Sequence, residues 1–150
     1  MRAKLLDKSA GTRSWALIFA TGDEAVAGLQ QFAEEQQLGG SRLTAIGAFC
    51  RVVLAWFDVE KKEYRHIPVE EQVEVLSLIG DVSRDEKGKP KVHAHVVVGR
   101  SDGTTRGGHL IEAQVRPTLE VILTESPRHL QRTFDPVAGI ALIDASKSSP

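Results

Sequence analysis

Residues 74–99 have the sequence EVLSLIGDVSRDEKGKPKVHAHVVVG, and they decide the fold class. Two runs rich in apolar residues, EVLSLIGDVS and KVHAHVVVG, flank the segment RDEKGKP. This order is typical of a hairpin, because β-branched residues favour strands while Gly, Pro and charged residues favour the turn between them. We therefore expect an antiparallel sheet in this part of the chain.

Other segments extend the predicted sheet. Residues 42–69 are rich in β-branched and aromatic residues and are interrupted at Lys61-Lys62, which suits a second hairpin. Further strands are expected in the segments SWALIFA (residues 14–20), LEVILTE (residues 119–125) and VAGIALI (residues 137–143).

A helix is expected after the SWALIFA segment. Thr21 and Glu24 have the spacing of a capping box, and Gly39-Gly40 supplies a C-terminal stop. Between these signals, apolar residues recur at helical intervals at Val26, Leu29, Phe32 and Ala33. We expect one long helix packed on a mostly antiparallel sheet, which is an α+β fold.

Length and charge limit the possible classes of protein. The 150 residues suffice for one domain, residues 1–150, with a frayed tail at about residues 144–150. Nineteen Lys and Arg against 20 Asp and Glu give a formal net charge of −1, so no strong field attracts nucleic acid or an anionic membrane. The single cysteine, the lack of an apolar signal stretch and the lack of a run of ~20 apolar residues predict a cytoplasmic protein without a membrane span.

Three of the five histidines lie close together in the sequence. Side chains alternate along a strand, so His93 and His95 share a face and lie roughly 6.5–7 Å apart. Asp102-Gly103 is a turn signal, and the glycines at 107 and 108 allow close approach when the chain returns with His109. Three neutral imidazoles are a usual ligand set for zinc, with a fourth position for water, a carboxylate or substrate.

A second interpretation needs no metal. A His-x-His pair alone is a weak signal, and a histidine on an apolar face is more often an ordinary core or surface residue. Burying three imidazoles without an ion leaves ring nitrogens that need partners, and each unpaired buried polar group costs about 1–3 kcal/mol. The spacing alone leaves both interpretations open.

The segments EVLSLIGDVS, KVHAHVVVG and DGTTRGGHLIEAQVRPTLEVIL together resemble the plants and prokaryotes conserved domain, or PPC domain, in its stand-alone prokaryotic form. The resemblance extends from Trp15 to Ile143. It implies an antiparallel sheet with a helix, a homotrimer, and a zinc ion at His93, His95 and His109. In plants this domain is joined to AT-hook segments that bind AT-rich DNA.

The chain departs from the plant proteins at two places. Their Arg-Phe-Glu segment is here Gln72-Val73-Glu74, and the Arg-Gly-Arg-Pro core of an AT-hook is absent from the sequence. An AT-hook places arginines in the narrow minor groove of A·T tracts. DNA binding is therefore implied by family alone, and we expect no tight binding to duplex DNA.

Four other residues are candidates for the site. Glu120 matches the glutamate of the family's Thr-x-Glu-Val pattern, and Glu120 or Glu74 could orient a histidine or act as a fourth ligand. Arg100 and Arg106 flank the histidine hairpin and could bind a small anionic ligand near a metal. His66 lies among charged residues and is expected on the surface.

Two functions follow from the resemblance. The first is a trimeric, non-catalytic assembly or regulatory module with a structural ion. The second is a zinc enzyme acting on a small polar metabolite, because the PPC fold is similar to that of acetolactate decarboxylase, which also binds zinc through three histidines. The other catalytic residues of that enzyme have no identified counterparts in this sequence, so we favour the non-catalytic module.

Overall fold

A computed structural model describes residues 1–148 of the chain. This part contains nine strands and one helix. Their bounds are β1 Arg2–Ser9, β2 Thr12–Ala20, α1 Ala25–Glu35, β3 Gly40–Asp58, β4 Glu63–Val69, β5 Val73–Arg84, β6 Pro90–Gly99, β7 Thr105–Glu125, β8 Arg132–Asp135 and β9 Ile140–Ile143.

Seven of the strands form one antiparallel sheet in the order β1-β2-β7-β6-β5-β3-β4. β7 also pairs with β3, so the pairings β7–β6–β5–β3–β7 form a closed circuit. β8 and β9 form a separate two-stranded hairpin. The predicted α+β class is confirmed.

The hairpins predicted within residues 42–69 and 74–99 are present. β3 and β4 are joined at Lys62, whose φ of 55° lies in the left-handed region. β5 and β6 are joined through Gly88, with a φ of 76°, and pair from Arg84↔Pro90 to Glu74↔Gly99. The predicted strand at residues 119–125 is the end of a much longer strand, because β7 runs without interruption for 21 residues.

The predicted helix exists but is shorter than expected. α1 has 11 residues, and its N-cap is Glu24 rather than Thr21. Glu24 Oε2 accepts from Ala27 N at 2.5 Å, and its Oε1 accepts from Ala113 N of β7 at 2.7 Å. The capping box therefore does not form, because the Glu24 carboxylate bonds to both the helix and the sheet, while Thr21 Oγ1 donates to Pro117 O at 3.3 Å.

Alternation along the strands separates the core from the outer face of the sheet. In β6, Ala94, Val96 and Val98 are buried. His93 and His95, at the alternate positions, lie on the opposite face. The core side of the sheet packs against the apolar stripe of α1, at Ala25, Leu29, Phe32 and Ala33. The histidines thus lie on the face turned away from the core.

The two ends of the chain differ from the sequence-based expectations. β1 was not predicted. All eight of its residues are exposed, so its sequence lacks the sustained alternation of apolar and polar residues that marks a strand packed on the core. Residues 144–148, expected in a frayed tail, form a turn in which Gln131 N donates to Ser148 Oγ at 3.1 Å. The rest of that tail, residues 149–150, lies outside the described residues. Within residues 1–148, no helix is long and apolar enough to cross a membrane.

Candidate metal centre

The β6–β7 hairpin brings three histidines together. His95 and His109 are directly opposed in the register of β6 and β7, and His93 lies on the same face of β6. Each residue offers one ligand atom, and these atoms all lie within 4.8 Å of one another. Ligands bound to one cation at about 2 Å lie roughly 3.3 Å apart in a tetrahedral site, so small side-chain movements would bring these atoms to one ion.

The rings converge without stacking face to face. The ring centroid of His93 lies 5.0 Å from that of His95 and 5.0 Å from that of His109. Tyr64 of β4 covers His109, with ring centroids 5.0 Å apart, and Phe57 in turn contacts Tyr64 at 5.0 Å. The aromatic side chains thus limit access to His109 from the β4 side.

Gly108 permits this arrangement. A Cβ at Gly108 would lie 2.6 Å from the carbonyl oxygen of Ala55 in β3. β7 therefore needs glycine here to lie between β6 and β3, and His109 follows directly on the outer face. The predicted role of the Gly107-Gly108 pair in close backbone approach agrees with this geometry.

The histidine environment disfavours positively charged rings. Burial, followed by the charges of His93 and His95, lowers the pKa of His109 from 6.5 to about 4. Burial, followed by His93, also lowers the pKa of His95. Neutral imidazole is the form that binds metals, so these rings are in the ligating form at neutral pH.

One ring nitrogen of the cluster has no partner within the chain. His109 Nδ1 is buried and has no hydrogen-bond partner within the chain. Leaving such a group unpaired costs about 1–3 kcal/mol, and a coordinated cation would remove that cost if it bound this nitrogen. The three-histidine donor set also suits zinc and related transition metals.

A carboxylate and an arginine contact the histidine at the other end of the cluster. Asp81 of β5 is opposite His93 in the strand register, and its Oδ2 lies 3.5 Å from His93 Nδ1. Arg132 of β8 lies 3.0 Å from the same oxygen. Burial raises the pKa of Asp81, but hydrogen bonds from His93, Arg132 and Ser83 outweigh it and lower the pKa below its ordinary value. Asp81 is therefore an anionic partner for His93.

A cavity of about 330 Å³ adjoins the histidines. Ile79, Gly80 and Asp81 of β5 line it together with His93 and His95. A small ligand in this cavity would contact both imidazoles and the Asp81 carboxylate.

The predicted glutamates do not lie at this site within the chain. Glu74 and Glu120 line a different cavity, together with Ile46, Leu76 and Thr118. Glu120 is separated from His109 by half of β7, and strands rise about 3.3 Å per residue, so the distance far exceeds a metal–ligand bond. Neither glutamate therefore lies beside the histidines of its own chain, and a role for Glu120 or Glu74 as a fourth ligand or as a partner of a histidine stays a prediction.

The predicted arginines are also displaced from the metal centre. Arg100 Nε pairs with Glu71 at 2.6 Å, at the turn of the hairpin. Arg106 is opposite Val98 in the register, three positions before His109, so it belongs to the other face of the sheet. Arg132, which was not predicted from the sequence, contacts His93 of the cluster.

Asp81, Tyr64 and Arg132 were all missed from the sequence. Asp81 could have been found by counting the β5–β6 register back from the RDEKGKP turn, since it is opposite His93. Tyr64 and Arg132 come from β4 and the C-terminal hairpin, and no local spacing in the sequence connects them with the histidines.

Comparison with known proteins agrees with the resemblance seen in the sequence. The metal-containing protein AF0104 from Archaeoglobus fulgidus is 36% identical, with a TM-score of 0.80 over 87% of this chain and 91% of that chain. A plant- and prokaryote-conserved (PPC) protein from Pyrococcus horikoshii is 30% identical, with a TM-score of 0.81 over 95% of this chain and 94% of that chain.

A longer curated protein also matches. The bifunctional protein GlmU from Synechococcus sp. (strain JA-3-3Ab) is 30% identical over 130 residues, which is 85% of this chain. The chain spans only 20% of that protein's length.

The family model matches the part of the chain that contains the three histidines. It is described as the Plants and Prokaryotes Conserved (PCC) domain and covers residues 6–127, which include β2 to β7. On this match and the similarity to the Pyrococcus protein, the chain belongs to the plants and prokaryotes conserved domain family, abbreviated PCC or PPC.

Proposed function

We propose that this PPC-domain protein binds one zinc ion per chain through His93, His95 and His109, and that it acts as a non-catalytic assembly or regulatory module. The observation that carries the proposal is the convergence of three ligand atoms within 4.8 Å. The unpaired Nδ1 of His109 supports it, because a metal offers that buried group a partner. The Archaeoglobus relative is described as metal-containing.

The donor set favours zinc over a hard cation. Imidazole nitrogens suit zinc and neighbouring transition metals, whereas calcium and magnesium prefer oxygen ligands. Asp81 beside His93 supplies the carboxylate that commonly accepts the second N–H of a metal-bound histidine. A zinc ion bound here would supply a positive charge and a fourth position for an oxygen or nitrogen ligand.

Self-association as a homotrimer is part of the proposal. Five apolar side chains on the outer face of the sheet are between 41% and 63% exposed, namely Ile46, Leu76, Ile79, Val97 and Ile122. Ile79 is opposite His95 in the register, so this apolar surface borders the histidines. Contiguous exposed apolar surface is typical of an interface.

DNA is not the partner that the residues favour. The net charge is −1, and the sequence has no Arg-Gly-Arg-Pro core. Affinity for duplex DNA depends largely on neutralising phosphates with Lys and Arg. We therefore propose that this chain alone does not bind duplex DNA tightly.

A zinc enzyme is the second candidate function. The cavity of about 330 Å³ beside His93 and His95 has room for a small polar metabolite. A metal with an exchangeable fourth position would act as a Lewis acid toward an oxygen of such a ligand. Arg132 and Asp81 already form hydrogen bonds with each other, so they are less available to bind a substrate than unpaired side chains would be.

Cobalt substitution distinguishes these two functions. The d–d absorption bands of Co²⁺ bound to the three histidines report coordination number and ligand exchange. For the non-catalytic module, azide added to the Co²⁺-loaded protein should leave the bands unchanged, because structural metal sites have all four positions filled by ligands that do not exchange. A shift that saturates with azide would favour the enzyme, and failure to bind Co²⁺ or Zn²⁺ would contradict both.

A further inference from the structure

Arg132 connects the C-terminal hairpin with the histidine cluster. It lies in β8, beyond the residues 6–127 that match the family model, and its side chain is only 12% exposed. Within the hairpin, its Nη1 donates to the carbonyl of Ala141 in β9 at 3.1 Å. On the main sheet, its Nε donates to Ser83 Oγ at 2.7 Å. The guanidinium therefore joins β8–β9 to β5.

The remaining nitrogen of Arg132 lies between an acid and a metal-ligand candidate. Nη2 is 3.1 and 3.0 Å from Asp81 Oδ1 and Oδ2, and 3.2 Å from His93 Nδ1. The same Nδ1 is 3.5 Å from Asp81 Oδ2. One ring nitrogen thus faces a donor from Arg132 and an acceptor from Asp81.

These two partners require opposite tautomers of His93. Guanidinium only donates, so a hydrogen bond from Arg132 Nη2 needs a bare Nδ1, and a neutral ring then has its proton on Nε2. Donation to Asp81 needs the proton on Nδ1 and leaves Nε2 free. The Asp81 contact therefore favours a metal-ready Nε2, and the Arg132 contact opposes it.

A metal bound to His93 conflicts with the Arg132 contact through either ring nitrogen. A metal at Nδ1 would take the place of Nη2. A metal at Nε2 would require a proton on Nδ1, which then faces Nη2 as one donor against another. The permanent positive charge of Arg132 adds to the conflict, since like charges repel most strongly where water is partly excluded.

We propose that Arg132 makes metal binding and docking of the C-terminal hairpin oppose each other: the docked hairpin weakens the site, and metal weakens the contact between Arg132 and His93. This inference rests on the metal site proposed above and adds a residue that sets its affinity. The coupling is reciprocal. If bound metal weakens the docking of β8–β9 by a given factor, undocking of β8–β9 strengthens metal binding by the same factor.

Zinc affinity measured against a chromophoric chelator tests the role of Arg132. Arg132→Gln removes the charge and should tighten zinc binding on the order of tenfold. Arg132→Lys keeps the charge and should remain near the wild-type affinity. Asp81→Asn should weaken binding by about 10- to 100-fold, the range for partners of metal ligands. Arg100→Gln removes an arginine paired with Glu71 at the hairpin turn and is the matched control, with no change expected.

The outcomes separate this inference from the metal site itself. If wild-type protein binds no zinc, the proposed site and this inference both fail. If wild-type protein binds zinc while Arg132→Gln binds it equally or more weakly, only the role of Arg132 is refuted.

Hydrogen exchange on wild-type protein provides a second test that needs no variant. Saturating zinc should speed amide exchange in β8 and β9 (Arg132–Asp135 and Ile140–Ile143) while exchange in β1 stays unchanged. Unchanged or slower exchange in β8 and β9 would contradict the coupling, even if Arg132→Gln fails to fold.

Discussion

His95 and His109 are directly opposed residues of adjacent antiparallel strands, with ring centroids 5.5 Å apart. Their alignment depends on the short turn between β6 and β7, in which Arg100 N donates to Thr104 O at 2.9 Å and Gly103 has a φ of 80°. Because side chains alternate with a period of two, this register places both imidazoles on the outer face. The hairpin thus builds most of the candidate metal centre.

Gly108→Ala should disturb the fold and the metal site together. The added Cβ would meet the Ala55 carbonyl oxygen at 2.6 Å, so β7 must move away from β3. We expect a loss of about 1–3 kcal/mol in the free energy of unfolding, the usual cost of overpacking. Urea unfolding of the metal-free protein measures it. Gly99→Ala is the control, since the nearest atoms to its Cβ belong to the flexible side chain of Leu76, at 3.2 Å. Equal stability of the two variants would contradict the steric role of Gly108.

The metal-free protein should lose stability as pH falls below about 6.5. The pKa of His109 is lowered from 6.5 to about 4 by burial and then by its neighbouring histidines, so the unfolded chain binds more protons than the folded one in this window. The stability contributed by the neutral ring is present above pH 6.5 and lost as pH falls toward 4.

Unfolding at a series of pH values between 7 and 4.5 checks this effect. His109→Gln should reduce the pH dependence, whereas His66→Gln, at an exposed position in β4, should retain it. A pH dependence that is the same in His109→Gln as in wild-type protein would show that His109 is not its source.

Self-association should depend on the apolar outer face. Ile122 is 50% exposed and is opposite Thr44, away from the histidines. Ile122→Glu places a charge on the proposed interface and should shift sedimentation from three chains toward one. Val137→Glu, at an 84% exposed position between β8 and β9, is the control and should leave the assembly intact. A wild-type monomer at micromolar concentration would refute the trimer.

Duplex DNA should not bind tightly. Near-neutral charge and the lack of an AT-hook leave few contacts to phosphates and none typical of the minor groove. A mobility-shift assay at physiological salt should show no complex below micromolar protein with either AT-rich or mixed-sequence duplex. Selective, tight binding to the AT-rich duplex would overturn this prediction and support a role in transcription.

The sequence predicted the parts of the structure that depend on local patterns. Alternation in KVHAHVVVG and the turn at Asp102-Gly103 correctly placed His93, His95 and His109 on one face. The spacing could not decide between metal and no metal, because partners of the ring nitrogens come from distant segments.

Other features depend on contacts between distant segments, which a single sequence does not reveal. Glu24 became the helix cap because its carboxylate also reaches Ala113 of β7. Glu120 matched a family pattern but lies at the far end of a strand that continues through Pro117, a residue expected to interrupt a strand. Arg132 belongs to a hairpin that packs against β5, and no periodic pattern in the sequence indicates this contact.

Metal content by elemental analysis tests the central claim most directly. Wild-type protein refolded with zinc and then desalted should retain one zinc ion per chain, and the triple variant His93→Ala, His95→Ala, His109→Ala should retain almost none. His66→Ala serves as the control for loss of a histidine and should retain the wild-type amount. Stoichiometric zinc in the triple variant would place the metal elsewhere, and wild-type protein free of zinc would show that protein groups or water satisfy these three imidazoles.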